Sequence, residues 1–254
     1  MFVDSHCHIN FPELAGRMNE VLENMRQNQV TAALCVSVNL EKFNEIQELV
    51  DKYEHIYGSI GVHPDHESDT EPTIEALVKL AQHPKIVAIG ETGLDYFRLK
   101  GDLEWQRERF RTHIRAAKKC HKPLIVHTRE SAADTLKIMS EEGAAVVGGV
   151  MHCFTETLEV ALAAIEMNFY ISFSGIVTFK NATIIKEVAQ HIPLERMLIE
   201  TDSPYLAPIP FRGKLNQPAY VRHVAEEIAK LRGISLEQVG HVTSKNFNTL
   251  FKIN

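Results

Sequence analysis

The chain has 254 residues, of which 44% are hydrophobic and 24% are charged, and its formal net charge is −6 at pH 7. This length and composition suffice to bury a sizeable core, and they fit one large domain or two small ones. The acidic balance argues against a surface built for sequence-blind binding of duplex nucleic acid, which needs clustered lysine and arginine; a local basic groove remains compatible with it.

The N-terminal sequence, the lengths of the apolar runs and the pattern of cysteines predict the cellular compartment of the protein. The N-terminal residues contain no basic segment followed by an apolar stretch, so no secretory signal is visible. No apolar run approaches the roughly 18 residues that a membrane helix requires. The four cysteines are scattered and form no Cys-x-x-Cys pair, which is typical of a reduced protein. The sequence therefore predicts a cytoplasmic protein with no membrane partner and no evident obligate protein partner.

Short β-branched apolar runs alternate with longer amphipathic stretches along the chain. The runs that predict strands are Phe2–His8, Thr31–Val38, Ile56–His63, Ile86–Glu91, Pro123–His127, Val147–His152, Phe169–Ser174 and Arg196–Asp202. The stretches with apolar residues at helical spacing are Glu13–Gln29, Glu41–Tyr53, Ile74–Gln82, Leu103–Lys119, Ser131–Glu141, Leu158–Met167, Ala182–Gln190 and Gln217–Leu231.

This alternation predicts eight strand–helix units in order. Strands that alternate with helices indicate a parallel sheet, and eight units in about 250 residues are typical of an α/β fold, the (β/α)8 TIM barrel, formed here by one domain over residues 1–254. A doubly wound open sheet is the alternative architecture. The residues after Ile234 predict one or two extra C-terminal helices, with Ser235 as a helix N-cap.

Side chains that bind metals recur at the ends of the predicted strands. At the carboxyl-terminal ends of the predicted strands lie His6 and His8 (first strand), His63 (third), Glu91 (fourth), His127 (fifth), His152 (sixth) and Asp202 (eighth). Because the carboxyl-terminal ends of barrel strands converge on one rim, we expect these residues to meet in one cleft. The other eight histidines are interpreted as structural or surface residues: His55, His66, His83, His113, His121, His191, His223 and His241.

Side chains along a strand point alternately to opposite faces, which pairs residues that are two apart. His6 and His8 are therefore expected to point the same way, and the residue between them the other way. Asp4 follows one layer deeper and is predicted to orient a ligating histidine. By the same rule Glu200 and Asp202 share one face of the eighth run. Asp202 is nearer the rim, so it is predicted to be the metal ligand or general base.

The types of side chain in this set indicate the metal. Imidazole and carboxylate groups suit Zn²⁺, Mn²⁺ or Fe²⁺ and also tolerate Mg²⁺. Five or six such ligands exceed what one tetrahedral ion requires, so they predict two divalent ions bridged by a carboxylate. Glu91, on a middle strand, is the natural bridge. Two ions about 4 Å apart activate water and stabilise an oxyanion in hydrolysis, and the set therefore predicts a metal-dependent hydrolase.

A series of longer motifs spans nearly the whole chain. They are DSHCH (Asp4–His8), GVHP (Gly61–Pro64), GETGLDY (Gly90–Tyr96), HTR (His127–Arg129), HCF (His152–Phe154), ETDSPYLAP (Glu200–Pro208) and RGKLNQP (Arg212–Pro218). With these motifs the chain closely resembles the TatD-type metal-dependent deoxyribonucleases, within the amidohydrolase-like barrel superfamily. The combination is very specific, and no ligand of that family is missing.

The resemblance implies a TIM barrel and a hydrolase that cleaves phosphodiester bonds in DNA, as a 3′-5′ exonuclease on single strands. It also implies that the positions matching the ligands of the family bind divalent metal: His6, His8, Glu91, His127, His152 and Asp202. The positions that match His63 and Glu200 are also linked with the active site in that family.

Further polar residues of the rim have two interpretations each. Arg129, two residues beyond His127, is predicted to hold a phosphate by a bidentate contact; the alternative is an ion pair with Glu130 or Glu91. Asp95 either supports a metal ligand from behind or caps the segment that follows it.

Glu200 is expected to hold His63, to help bind a further ion, or to serve as a buried structural carboxylate. Aromatic residues on the rim predict a groove for a nucleic-acid strand, with bases stacked on Tyr96, Phe97 or Tyr205. The alternative for each is a solvated loop surface. The basic residues that accompany them are Arg98, Lys100, Lys180, Arg212 and Lys214.

The hypothesis for the mechanism is that a metal-activated water attacks the phosphodiester. Asp202 takes the proton of that water, and Arg129 stabilises the charge that develops on the phosphate. One alternative keeps the metal site but assigns it to small esters, lactones, amides or an aminoacyl-tRNA. Another is a non-catalytic metal-binding protein. The fold alone does not separate these, since one fold hosts many chemistries.

Overall fold

The computed structural model describes residues 1–67 and 70–253. Eight strands pair in chain order into one sheet, and all of their pairings are parallel. The strands are β1 (Phe2–Cys7), β2 (Val30–Cys35), β3 (Ile56–Ile60), β4 (Ile86–Asp95), β5 (Leu124–Arg129), β6 (Gly149–Met151), β7 (Phe169–Phe173) and β8 (Met197–Ile199).

The sheet closes on itself where the chain leaving β8 meets β1. The backbone N–H of Asp202 donates to the carbonyl of His6 (2.9 Å), and the N–H of His8 donates to the carbonyl of Ser203 (2.7 Å). These bonds complete a (β/α)8 TIM barrel, so the barrel prediction is confirmed and the open-sheet alternative is wrong. Strands such as β4 and β7 are buried along their whole length, as expected of parallel strands covered on both faces.

Helices surround the barrel. They are α1 (Pro12–Ala15), α2 (Met18–Gln27), α3 (Phe43–Lys52), α4 (Ile74–Leu80), α5 (Glu104–Cys120), α6 (Ala132–Glu141), α7 (Leu158–Glu166), α8 (Thr183–His191), α9 (Val221–Arg232) and α10 (Leu236–Phe251). No helix within residues 1–67 and 70–253 is both long and apolar enough to cross a bilayer.

The extra C-terminal segment is the single long helix α10. Ser235 caps it, because the Ser235 hydroxyl accepts a hydrogen bond from the N–H of Gln238 (3.1 Å). Phe247 and Phe251 pack with Val3, near the amino-terminal end of β1, and with apolar residues that line the barrel. The helix therefore covers the amino-terminal end of the barrel and leaves the carboxyl-terminal end open.

The first predicted helix, Glu13–Gln29, is interrupted. Arg17 has a φ of −123° and departs from helical geometry between α1 and α2. The preceding residue, Gly16, has a low intrinsic preference for helix, and the break allows α1 to turn before α2 packs Val21 and Met25 into the core. The apolar residues keep a continuous helical spacing across this break because α1 and α2 face the same barrel.

Two of the register shifts in the sheet lie in strands that carry predicted metal ligands. The register of β1 against β2 shifts between Asp4 and Cys7, and the register of β4 against β5 shifts between Ile89 and Thr92. Such β-bulges insert a residue into one strand and re-aim the side chains beyond it. Both bulges lie directly beside predicted metal ligands, which gives the fold a means of turning those ligands into the barrel mouth.

Candidate metal centre

A cleft of about 520 Å³ opens at the carboxyl-terminal end of the barrel. Its volume lies within the usual range for small-molecule sites. His6 lies beneath this cleft and is fully buried. The predicted rim residues that line the cleft are His8, His63, Glu91, His127, Arg129, His152 and Asp202. The structure therefore brings the side chains that close the predicted strands together in one place.

One side of the cluster, which we call the inner group, consists of His6, His8 and Asp202. The Nε2 atoms of His6 and His8 lie 3.3 Å apart, so both imidazoles point to the same side. The Oδ1 atom of Asp202 lies 3.4 Å from Nε2 of His8 and 3.7 Å from Nε2 of His6. Asp202 lies beyond the end of β8 with a φ of 56°, a left-handed conformation that aspartate tolerates.

The other side, the outer group, consists of His63, His127 and His152. All three approach the Oε1 atom of Glu91, at 3.3 Å from Nε2 of His63, 3.1 Å from Nδ1 of His127 and 2.7 Å from Nε2 of His152. The Nδ1 atom of His127 and Nε2 of His152 are 3.4 Å apart. Three imidazoles thus converge on one carboxylate oxygen.

Glu91 lies between the two groups. Its second oxygen, Oε2, lies 3.3 Å from Nε2 of His6 and 4.0 Å from Nε2 of His8. Burial by itself raises the pKa of this carboxyl, but the imidazoles around it, foremost His152 and His63, outweigh burial and hold the pKa well below its ordinary value. Glu91 therefore presents one negatively charged oxygen to each group.

The local backbone at Glu91 depends on a neighbouring glycine. Gly90 has a φ of 150°, and a Cβ atom at this position would lie 2.6 Å from the carbonyl oxygen of Ile125. Only glycine accepts both the dihedral angle and the close approach of β5. Gly90, the first residue of the GETGLDY motif, therefore permits the bulge that turns Glu91 inward.

Four imidazoles have one nitrogen committed to a hydrogen-bond partner away from the centre. A carbonyl or carboxylate at that position can accept the proton of one ring nitrogen, and the opposite nitrogen faces the cluster, where it could bind a cation through its lone pair. The pairs are His8 Nδ1 with the Val36 carbonyl (3.0 Å), His127 Nε2 with Asp95 (3.1 Å), His152 Nδ1 with Glu200 (3.3 Å) and His63 Nδ1 with Asp65.

This arrangement fits a divalent cation. Several imidazole nitrogens and two carboxylates facing one small space are a strong donor set for such ions. Three combinations each bring three ligand atoms within 4.8 Å of one another: His6, His152 and Asp202; His6, His8 and Glu91; and His63, Glu91 and His127. The residues present therefore fit bound metal.

Glu200 is fully buried and supports His152. Its Oε1 atom contacts Nδ1 of His152 (3.3 Å) and accepts the backbone N–H of Cys153 (2.7 Å). The expectation that Glu200 holds His63 is wrong, because His63 turns its Nδ1 toward Asp65 instead. The Oε2 atom of Glu200 is buried with no hydrogen-bond partner among the described residues.

Asp4 has a different role from the predicted one. Its carboxylate accepts hydrogen bonds from the backbone N–H (2.8 Å) and the hydroxyl (2.6 Å) of Thr201, and it contacts His6 only through the backbone N–H (3.4 Å). The prediction that Asp4 orients a ligating imidazole is wrong, because the bulge in β1 interrupts the alternation of faces. Asp4 anchors the segment that carries Asp202.

Asp95 makes the contacts that both of its predicted roles require. One oxygen contacts His127, and the other accepts the N–H groups of Phe97 (3.0 Å) and Arg98 (2.8 Å). Gly93 allows β4 and β5 to approach closely here, since a Cβ atom on it would lie 2.0 Å from the carbonyl oxygen of His127.

A model of the TatD related DNase family matches residues 3–252. The chain belongs to the TatD-related DNase family. It is 44% identical over 255 residues to the Bacillus subtilis protein YabD, described as an uncharacterized metal-dependent hydrolase, and the match covers 100% of both chains. It is 34% identical to the 3′-5′ ssDNA/RNA exonuclease TatD of Escherichia fergusonii, over 89% of each chain. A crystal structure of YJJV, a TatD homologue of Escherichia coli, superposes with a TM-score of 0.91 at 27% identity, covering 100% of this chain and 98% of that one.

The arginine predicted to bind phosphate lies in the wall of the cleft of this TatD-family chain. The Arg129 guanidinium lies 3.9 Å from the centre of the Phe97 ring. Among the described residues it forms no ion pair with Glu130 or Glu91, so that alternative is wrong. Stacking on a ring leaves the edge of the guanidinium available for a bidentate contact with an anion.

The three aromatic residues predicted to stack bases differ in how accessible their rings are to a ligand. The Tyr96 hydroxyl donates to Asp134 (2.7 Å) and accepts from Arg107 (2.9 Å), and its ring packs against the core. Arg129 covers one face of Phe97. Tyr205 is 53% exposed and lines the cleft. Of the three rings, that of Tyr205 is therefore the most accessible for the predicted stacking and that of Tyr96 the least.

Most of the basic rim residues have partners. Arg98 contacts Asp65, Lys100 donates to the carbonyl of Tyr96 (2.6 Å), and the cations of Arg212 and Lys214 lie over the rings of Phe179 (4.5 Å) and Phe211 (6.0 Å). Lys180 is exposed. Of the predicted basic residues, only Arg98 and Arg129 line the cleft itself.

Sequence reasoning missed two residues of this TatD-family site. Asp65 supports His63, and a carboxylate two residues after a predicted ligand was the available signal. Phe11 lines the cleft and stacks on His8, with ring centres 4.8 Å apart and planes 15° from parallel. No local pattern distinguishes Phe11 from an ordinary residue at the start of a helix, so only the tertiary structure reveals it.

Proposed function

We propose that this protein is a metal-dependent phosphodiesterase that removes nucleotides from the 3′ end of single-stranded DNA. The observation that carries the proposal is the orientation of four imidazoles, each with one nitrogen bound to an outside acceptor and the other facing Glu91 or Asp202. Membership of the TatD-related DNase family supports a nucleic-acid substrate, as does the name of the related exonuclease from Escherichia fergusonii.

Two divalent ions, Zn²⁺, Mn²⁺ or Mg²⁺, would be held by the two groups. The inner group supplies His6, His8 and Asp202, the outer group supplies His127 and His152, and Glu91 offers one oxygen to each. Bound ions supply Lewis acidity, which lowers the pKa of water toward neutrality and offsets the charge of the phosphate.

The catalytic roles of the protein side chains follow from their positions. Asp202 is the more exposed of the two central carboxylates, 17% against 3% for Glu91, so it can accept the proton of the attacking water. Arg129 holds the phosphate from the cleft wall. His63 faces the same space and is placed to hydrogen-bond the scissile phosphate or the leaving oxygen. Glu200 acts through His152, which it orients.

The test is digestion of end-labelled single-stranded DNA in the presence of Mg²⁺ or Mn²⁺. We expect stepwise shortening from the 3′ end by the wild-type protein, and a loss of at least about 100-fold in kcat for Asp202→Ala, the usual scale for a general base. Circular single-stranded DNA, which has no end, should resist cleavage.

The same preparation should be assayed on small esters, lactones, amides and an aminoacyl-tRNA. Hydrolysis of one of these without cleavage of DNA would replace the proposed substrate while keeping the site. Absence of all hydrolysis with several metals supplied would indicate a non-catalytic metal-binding protein.

A further inference from the structure

The cleft has two walls of different chemistry. Polar and cationic side chains come from the end of β5, which carries Arg129, and from the loops that follow β3 and β4, the latter carrying Arg98. Four apolar side chains of the cleft come from the loops that follow β1, β7 and β8, and they are Phe11, Ile176, Tyr205 and Leu206. The proposed metal ligands lie between these walls. A substrate at the metal centre therefore meets a cation on one side and an aromatic surface on the other.

Tyr205 is held rigidly although its ring is exposed. Its backbone N–H donates to the carbonyl of Asp202 (3.0 Å), and its carbonyl accepts from the side-chain amide of Asn216 (2.5 Å). Asn216 is fully buried and also donates to the carbonyl of Thr201 (2.9 Å). The preceding residue, Pro204, restricts the backbone further. A ring displayed on such a fixed backbone loses little conformational freedom when it binds a ligand.

Phe11 extends this surface toward the metal ligands. The Phe11 ring meets the edge of Tyr205, with ring centres 6.3 Å apart and planes at 71°, and it stacks on His8. The phenol oxygen of Tyr205 has no hydrogen-bond partner among the described residues. Tyr205 is 53% exposed, so its ring is accessible to a ligand, and the aromatic wall formed by Tyr205 and Phe11 begins directly beside His8, a proposed metal ligand.

We propose that Tyr205, together with Phe11, binds the nucleobase adjacent to the scissile phosphate. This inference rests on the proposed function and specifies how the substrate is oriented: the base lies on the aromatic wall while Arg129 holds the phosphate on the opposite wall. Stacking on an aromatic ring accepts any base, since every base has a π-face. The enzyme should accordingly require a base but show little preference for its identity.

The experiment compares two single-stranded oligonucleotides in the presence of Mn²⁺. One has an ordinary 3′-terminal nucleotide, and the other ends in an abasic deoxyribose, so that only the base is missing. Release of the terminal residue is measured for the wild-type protein and for Tyr205→Ala, Tyr205→Phe and Ile209→Ala. Ile209 is the matched control, because it is 46% exposed on the same rim loop but does not line the cleft.

We expect Tyr205→Ala to raise KM for the base-bearing substrate about tenfold, the scale of one base–aromatic stack, with kcat within about twofold of wild type. The abasic substrate should show no further loss, and Tyr205→Phe and Ile209→Ala should behave as wild type. An equal effect of Tyr205→Ala on both substrates, or no effect on either, would overturn the inference while the nuclease function stands. Failure of the wild-type protein to release either terminus would overturn both.

Discussion

The inner and outer groups of the proposed metal centre both contain imidazoles, but these imidazoles are supported differently. In the outer group a carboxylate stands behind each imidazole: Asp65 behind His63, Asp95 behind His127 and Glu200 behind His152. In the inner group His8 has a neutral carbonyl behind it, and the Nδ1 atom of His6 is buried with no hydrogen-bond partner among the described residues.

The difference has an electrostatic consequence. A carboxylate that accepts the second proton of an imidazole makes the opposite nitrogen a stronger donor and adds negative charge near the ion. Such a carboxylate stands behind both proposed ligands of the outer group, His127 and His152, whereas the inner group relies on Asp202 itself. We therefore expect the outer group to bind its ion more tightly and the inner group to exchange its ion more readily.

The largest effect is expected from Glu91→Gln, which keeps the shape of the shared side chain but removes its charge. The shared negative charge is lost, and one of the two groups faces an amide NH2 instead of an oxygen, so we expect kcat/KM to fall by more than about 100-fold and both ions to be lost. Elemental analysis and the nuclease assay measure this. Glu48→Gln, on the exposed side of α3, is the matched control. A variant that keeps one ion at wild-type affinity would show that the two groups are independent.

A smaller and more selective effect is expected from Asp95→Asn. Asparagine retains an oxygen for the N–H groups of Phe97 and Arg98 but no longer supports His127 with a charge. We expect the affinity for one of the two ions to fall about 10- to 100-fold while the other is unchanged. Metal titration by calorimetry tests this, with the surface substitution Asp51→Asn as control. Equal weakening of both ions would contradict the distinction between the groups.

The smallest effect at neutral pH is expected for His113 on α5, which supports the backbone next to His63 of the outer group and contributes to the stability of the fold. His113 accepts the N–H of Val62, next to His63, at 3.0 Å, and donates to the carbonyl of Arg109 at 2.8 Å. Burial lowers the pKa of His113 from 6.5 to about 4. The unfolded chain therefore takes up the proton first, so this contribution to stability is complete above pH 6.5 and is lost as the pH falls toward 4.

The difference between the two pKa values corresponds to about 3 kcal/mol in the free energy of unfolding. Denaturant unfolding at pH 7 and pH 4 should show a smaller acid-induced loss for His113→Gln than for the wild-type protein. His241→Gln, an exposed histidine on α10, should keep the wild-type loss. Identical losses in all three proteins would mean that His113 does not titrate with folding.

Much of this architecture could be predicted from periodicity alone. The order of strands and helices, the barrel and the cap of α10 at Ser235 all follow from patterns within a few residues of each position. The convergence of His63, His127 and His152 follows from the topology once the strands are placed. The prediction for Asp4 was wrong because it assumed that side chains alternate regularly between the two faces of β1, whereas a bulge interrupts that alternation.

The sequence by itself determined which side chains are available for chemistry and at which end of the barrel they lie, because both depend on local spacing. Only the tertiary structure decided which carboxylate supports which imidazole and that Phe11 adjoins Tyr205. Those relations depend on register shifts and on contacts between residues distant in the chain, such as Glu200 with His152. Local periodicity carries no information about them.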